Sequence, residues 1–202
     1  MIRLVLLGSV AALSLAACGA PPPEPADAPA GPTAATSPTE PGAPVSAANK
    51  LTADGFGPLR IGMTRAEVEA ALGPDANPEA VGGPDPASCD MFRPERAPEG
   101  LLVMVENGVL TSVWLSRNTA VETDRALNIG DTAAEVKGIY GAAAEVMAHK
   151  YAEPPAEYVT VWATAERQGP AARGLTYEIG ADGRVESIAG GGPSIQYVEG
   201  CA

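Results

Sequence analysis

The residue types able to do chemistry are few in this chain. His149 is the single histidine, and a Ser–His–Asp arrangement would need it, with Ser112 or Ser116 as nucleophile. No Gly-x-Ser-x-Gly elbow holds either serine, so His149 reads as an ordinary polar residue beside Tyr151. One histidine also offers little to a transition metal. Acidic residues are plentiful but scattered, with no Asp-x-Asp-x-Asp-Gly calcium loop; Glu95, Glu99, Glu122 and Asp124 read as loop-solvating groups. Gly190-Gly191-Gly192-Pro193 is followed by neither a lysine nor a helix start, so it reads as a turn and not as a phosphate cradle. The expectation is a non-enzymatic protein with no catalytic residue, no cofactor and no metal. The net charge of -12 opposes nucleic acid and anionic lipid headgroups as partners.

The elements that would position any site come from a repeat. Leu59-Arg60-Ile61-Gly62-Met63-Thr64 runs on to Glu67, Val68 and Gly73, and returns as Leu127-Asn128-Ile129-Gly130-Asp131-Thr132 with Glu135, Val136 and Gly141. Such self-similarity predicts two like units, over 51–122 and 123–202. Thr64 with Glu67, and Thr132 with Glu135, have capping-box spacing and predict a helix start in each unit. Gly73-Pro74 and Gly141 predict the stops, so each helix has only about eight or nine residues and needs a sheet to hold it. Asn107-Gly108 between Leu101–Val105 and Val109–Leu115 predicts a hairpin, and Asp182-Gly183 between Leu175–Ile179 and Val185–Ala189 predicts its counterpart. Tyr158–Thr164 reads as a strand, Cys89–Phe92 as its first-unit equivalent, and Ile195–Val198 as a further edge strand. The expected class is α+β: two tandem helix-plus-antiparallel-sheet repeats forming one domain, the helices packed on one side of the sheet.

Two aromatic positions follow from that plan. The repeat aligns Trp114 with Ala189 and puts Trp114 on the helix-packed face. In strand 158–163, Val159, Val161 and Ala163 form one face and Tyr158, Thr160 and Trp162 the other. With the aliphatic face in the core, Tyr158 and Trp162 would be exposed neighbours suited to binding a protein partner, with Glu157 at the rim.

The N-terminus reads as a leader. Arg3 precedes an apolar run from Leu4 to Leu15, too short to span a bilayer comfortably. The stretch Leu15-Ala16-Ala17-Cys18 resembles the lipobox of bacterial lipoproteins; an ordinary signal peptide is the alternative. The resemblance implies a signal over 1–17, cleavage before Cys18, lipidation of Cys18, and a membrane anchor of several acyl chains. Gly19 favours the outer membrane by the same resemblance, with the domain facing the periplasm. Residues 18–50 are the lipidated cysteine and a Pro/Ala-rich linker whose upper reach is roughly 90 Å at ~3.1 Å per residue. With Cys18 used by lipid, Cys89 and Cys201 remain as an even pair in an oxidising compartment, which predicts a disulfide; two free thiols are the alternative.

Ile61-Gly62-Met63-Thr64 with Val68 and Leu72-Gly73-Pro74 resembles the motif of the SmpA/OmlA (BamE) outer-membrane lipoproteins, departing from it in that Ile61 touches Gly62 directly. The tandem arrangement is similar to the β-lactamase inhibitory protein fold. The first resemblance implies an accessory subunit of an outer-membrane assembly that binds a protein partner. The second implies an inhibitor of a secreted or periplasmic hydrolase.

Overall fold

A computed structural model describes residues 49–80 and 82–202. They form an α+β unit whose centre is a seven-stranded antiparallel sheet in the order β3-β4-β5-β9-β8-β7-β6, beside a two-stranded hairpin of β1 (Leu51–Thr52) and β2 (Gly55–Phe56). The strands are β3 (Cys89–Phe92), β4 (Leu101–Glu106), β5 (Val109–Ser116), β6 (Glu145–Ala148), β7 (Glu157–Trp162), β8 (Gly174–Ile179) and β9 (Val185–Gly191). The leader, Cys18 and nearly all of the linker lie outside the described residues.

Helix α1 spans Arg65–Leu72 and α2 spans Ala133–Tyr140. Both capping boxes form. The Thr64 hydroxyl accepts from Glu67 N, and Thr64 N donates to the Glu67 carboxylate at 2.8 Å; Thr132 and Glu135 do the same at 2.8 Å. The backbone hydrogen bond first, and the threonine hydroxyl next, hold both carboxyls below the usual glutamate range. A lowered folded pKa stabilises above the ordinary range of about 4.3, and that contribution is lost as pH falls through the lowered value. Glu67→Ala or Glu135→Ala should therefore be less stable than the parent at pH 7, and the gap should close as the medium is acidified below about pH 4. Thr64→Ala should cost about 1 kcal/mol by denaturant unfolding.

Each helix is fastened to a hairpin turn by the same set of bonds. Gly62 N donates to Leu110 O, Leu110 N to Met63 O, and Arg65 N to Gly108 O; Gly130 N donates to Val185 O, Val185 N to Asp131 O, and Ala133 N to Gly183 O. The turns differ. Asn107 and Gly108 both have positive φ (49° and 80°), whereas in the second turn Gly183 does (75°) and Asp182 does not. Gly183 N donates to Gly180 O and Gly180 N to Arg184 O, a longer connection than two residues.

Val68 and Val136 are both fully buried against one face of the sheet, with Leu101, Val103, Val113, Leu115, Val159, Tyr177, Ile179 and Ile188. That face is the core. Tyr140 of α2 meets Tyr177 of β8 hydroxyl to hydroxyl at 2.8 Å, and burial pushes both phenols up. The positions of α1 and β4 that match by sequence offset are Leu72 and Val103, both aliphatic. The β1–β2 hairpin lies on Gly190, where a Cβ would come within 2.4 Å of Thr52 O, so a side chain would lift the hairpin away.

Two expectations are corrected here, and one element is new. Gly190 and Gly191 belong to β9 and are not a turn. Ile195–Val198 is no edge strand: Pro193–Gln196 form a 3-10 helix with Pro193 in its first turn, because the proline ring fixes φ and has no N–H for a ladder. Edge strand β6 has no counterpart in the expected plan.

Candidate partner-binding face

The sheet face turned away from the helices is laid out by strand register. One row across it reads Leu102, Trp114, Ala189, Thr176, Thr160, Glu145. The neighbouring rows read Ser116, Ser187, Glu178, Tyr158, Met147, and Met104, Ser112, Gly191, Gly174, Trp162. Trp114 thus lies opposite the helices, contrary to the expectation from the repeat. The bulge at Met104/Val105 puts an extra residue, Thr111, into β5, which offsets its alternation from Leu110 to Trp114.

The C-terminal segment from Gly192 to Cys201 crosses this face as a strap. It leaves β9, turns through the 3-10 helix, and ends in a disulfide between Cys201 and Cys89 of β3, with Cα atoms 5.5 Å apart. Gly174 makes room for it, since a Cβ there would lie 3.0 Å from Ile195 Cδ1. Beneath the strap Met104, Ser112, Thr160, Thr176 and Ala189 are buried, and Ile195 is 1% exposed. A space of about 20 Å³ remains between strap and sheet, lined by Trp114, Thr160, Glu178, Ile195 and Val198 among others.

Tyr158 and Trp162 do share this face, but the exposure expected of them fails. Tyr158 is 7% exposed and stacks on the His149 ring at 4.7 Å between centroids. Burial first, and the nearby Glu178 next, push its phenol up. Trp162 is half-buried and lies over Gly174, where a Cβ would touch its ring at 2.9 Å. Glu157 is not at the rim either: it turns to the helix side and pairs with Lys137 of α2 at 2.6 Å. Both faces of β7 are covered, so alternation alone could not say which one is wet.

His149 is held by three bonds. Its Nδ1 accepts from the backbone N–H groups of Tyr151 and Ala152, each at 3.1 Å, so Nε2 carries the proton and donates to Glu178 at 3.1 Å. The other Glu178 oxygen accepts from Ser187 at 2.7 Å. Ser112 instead accepts from Trp114 Nε1 at 2.8 Å. The chain runs serine, glutamate, histidine, with the carboxylate in the middle. Its geometry supports a structural anchor for the β6–β7 connection and offers no proton acceptor to Ser112 or Ser116. Among the described residues, no three His, Cys, Asp or Glu side chains come together as metal ligands.

What stays open on this side includes large apolar side chains. Leu102 is 37% exposed beside half-buried Trp114, its cross-strand neighbour, and Tyr197 on the strap is 43% exposed. Tyr197 donates to Glu106 at 3.3 Å, and Glu106 pushes its phenol up. A groove of about 300 Å³ runs from Tyr197 past Val109 and Ile61 to Pro170. No protein-family model matches the chain, and no curated protein is similar to it. A DUF4309 family protein (YjgB) from Bacillus subtilis has a similar solved structure at a TM-score of 0.39 and 17% identity, over 64% of this chain and 78% of that one. A likeness of that size says nothing about function.

Leu102 and Tyr197 were not singled out by the sequence. The signal for Leu102 was present, because it alternates with Leu101 and Val103 and one of the two sets must face away from the helices. Tyr197 had none, since its exposure depends on where the strap runs.

Proposed function

We propose that this chain is a lipid-anchored envelope protein, not an enzyme, that binds a protein partner through the strapped face of its sheet. The observation that carries the reading is the Leu102–Trp114 pair, an aliphatic and an aromatic side chain left accessible side by side on a rigid sheet. Large apolar side chains beside an aromatic are what protein interfaces favour. The matched bonds between helix start and hairpin in 51–122 and 123–202 support a tandem duplication as the origin of the domain. The motif at Ile61–Pro74 and the lipobox favour an accessory subunit of an outer-membrane assembly, facing the periplasm. An inhibitor of a secreted or periplasmic hydrolase is the second reading, favoured by the resemblance of the tandem arrangement to the β-lactamase inhibitory protein fold.

A photo-crosslinking amino acid at position 102, in intact cells, should capture one partner, and the same group at Ile139 on the helix side should not. Leu102→Asp with Tyr197→Ala should leave the melting temperature almost unchanged and weaken capture by about 2 kcal/mol or more. An outer-membrane protein as the captured species supports the assembly reading, and a hydrolase supports inhibition. Equal capture from both positions would refute this face as the binding site.

A further inference from the structure

The two edges of the seven-stranded sheet are finished differently. Along β3, Met91 N donates to Gly82 O at 3.1 Å and Cys89 N to Asp85 O at 2.9 Å, so the loop before β3 covers that edge. β6 has no such cover. Among the described residues its backbone partner is β7, on its inner side alone. Val146 and Met147 are 49% and 48% exposed, and Ala148 is exposed. An edge with outward N–H and C=O groups, apolar side chains and no proline or bulge is a template for another strand.

We propose that β6 pairs antiparallel with β6 of a second copy of this chain, about a two-fold axis through Met147. Charge order carries the choice of occupant. The strand and its exit read Glu145-Val146-Met147-Ala148-His149-Lys150, acidic at one end and basic at the other. Antiparallel self-pairing sets each acidic end against the basic end of the copy. A two-fold axis perpendicular to the sheet keeps both pairs of helices on one side. Side-chain alternation then requires odd positions to face odd ones and even to face even. With Met147 facing itself, Val146 faces Ala148 of the second copy, and Glu145 comes beside the exit of the second strand, where Lys150 is the exposed basic group while His149 stays on Glu178. Glu145 is held in the single chain by Arg167, and Lys150 by Glu199 at 3.6 Å, both at the surface and free to rearrange. The result is one continuous sheet through two molecules. Four residues bury far less than the ~1,600 Å² of a standard interface, so the dimer is weak and concentration-dependent.

The purified full chain, sedimented from roughly 10 to 1,000 μM, should pass from monomer to dimer. Met147→Lys places two ammonium groups at the axis. It should lower association at least ~tenfold without moving the melting temperature, because the position is exposed. Mild oxidation of the full chain carrying Met147→Cys should give a dimer linked through the two introduced sulfurs. Ala148→Cys, which faces Val146, should give little, and the parent chain none. Three results would each overturn the proposal: a monomer throughout, equal trapping from positions 147 and 148, or trapping in cells of a different protein instead of a second copy.

Discussion

Cys89→Ser with Cys201→Ser should lower the stability of the oxidised domain by about 4–5 kcal/mol, read from denaturant unfolding of both proteins. The bridge joins residues 112 apart, and a loop of that length carries a large closure entropy in the unfolded chain. A second effect adds in the native state. The strap leans on Gly174 and covers Thr160, Thr176 and Ala189, and its far end is fixed by Cys201. Without the bond the segment after Gln196 should fray. Hydrogen exchange should then rise from Tyr197 to Ala202, while β5 and β9 at the sheet centre keep their protection. An unchanged midpoint in the double variant would mean that the strap is held by packing alone.

Cys18→Ser should give unprocessed or soluble protein, without the lipid anchor. This rests on the lipobox reading. One acyl chain of myristoyl length binds membranes marginally, and each further buried CH₂ adds about 0.8 kcal/mol, so two or three chains make attachment stable. Removal of their single attachment point abolishes the term in one step. Labelled palmitate should enter the parent and not the variant. Failure of the parent to take up label would remove the anchor from the reading and leave an ordinary secreted domain.

Much of the scaffold was legible in short local motifs. The Thr-x-x-Glu spacing names both helix starts, and Asn107-Gly108 and Asp182-Gly183 name both hairpins, since local chemistry alone decides caps and tight turns. The disulfide followed from counting once Cys18 was set aside. What failed was orientation. Trp114 was put on the wrong face because the bulge near Thr111 shifts alternation, and no residue type marks a bulge. Tyr158 was expected at the surface because a strand with one aliphatic face looks amphipathic. Its other face is covered by His149, from the exit of the neighbouring strand β6, and by the C-terminal strap, which arrives from distant sequence. The strap itself was read as a strand, although Pro193 argued against it.

The placement of the disulfide bears on how the domain would carry a mechanical load. Under the proposed anchorage, tension from the envelope enters at Asn49, and a partner gripping the sheet supplies the opposing pull. The first elements to feel it are β1 and β2, where Leu51 N is bonded to Glu122 O and the hairpin rests on Gly190. Should these give way, the chain can be drawn out only as far as Cys89. The covalent ring from Cys89 to Cys201 stays closed, and with it β4 through β9 and the proposed binding face. Residues 49–88 can add about 140 Å of slack at ~3.5 Å per residue, so the hairpin and α1 act as a yielding spring ahead of a part closed into one covalent loop.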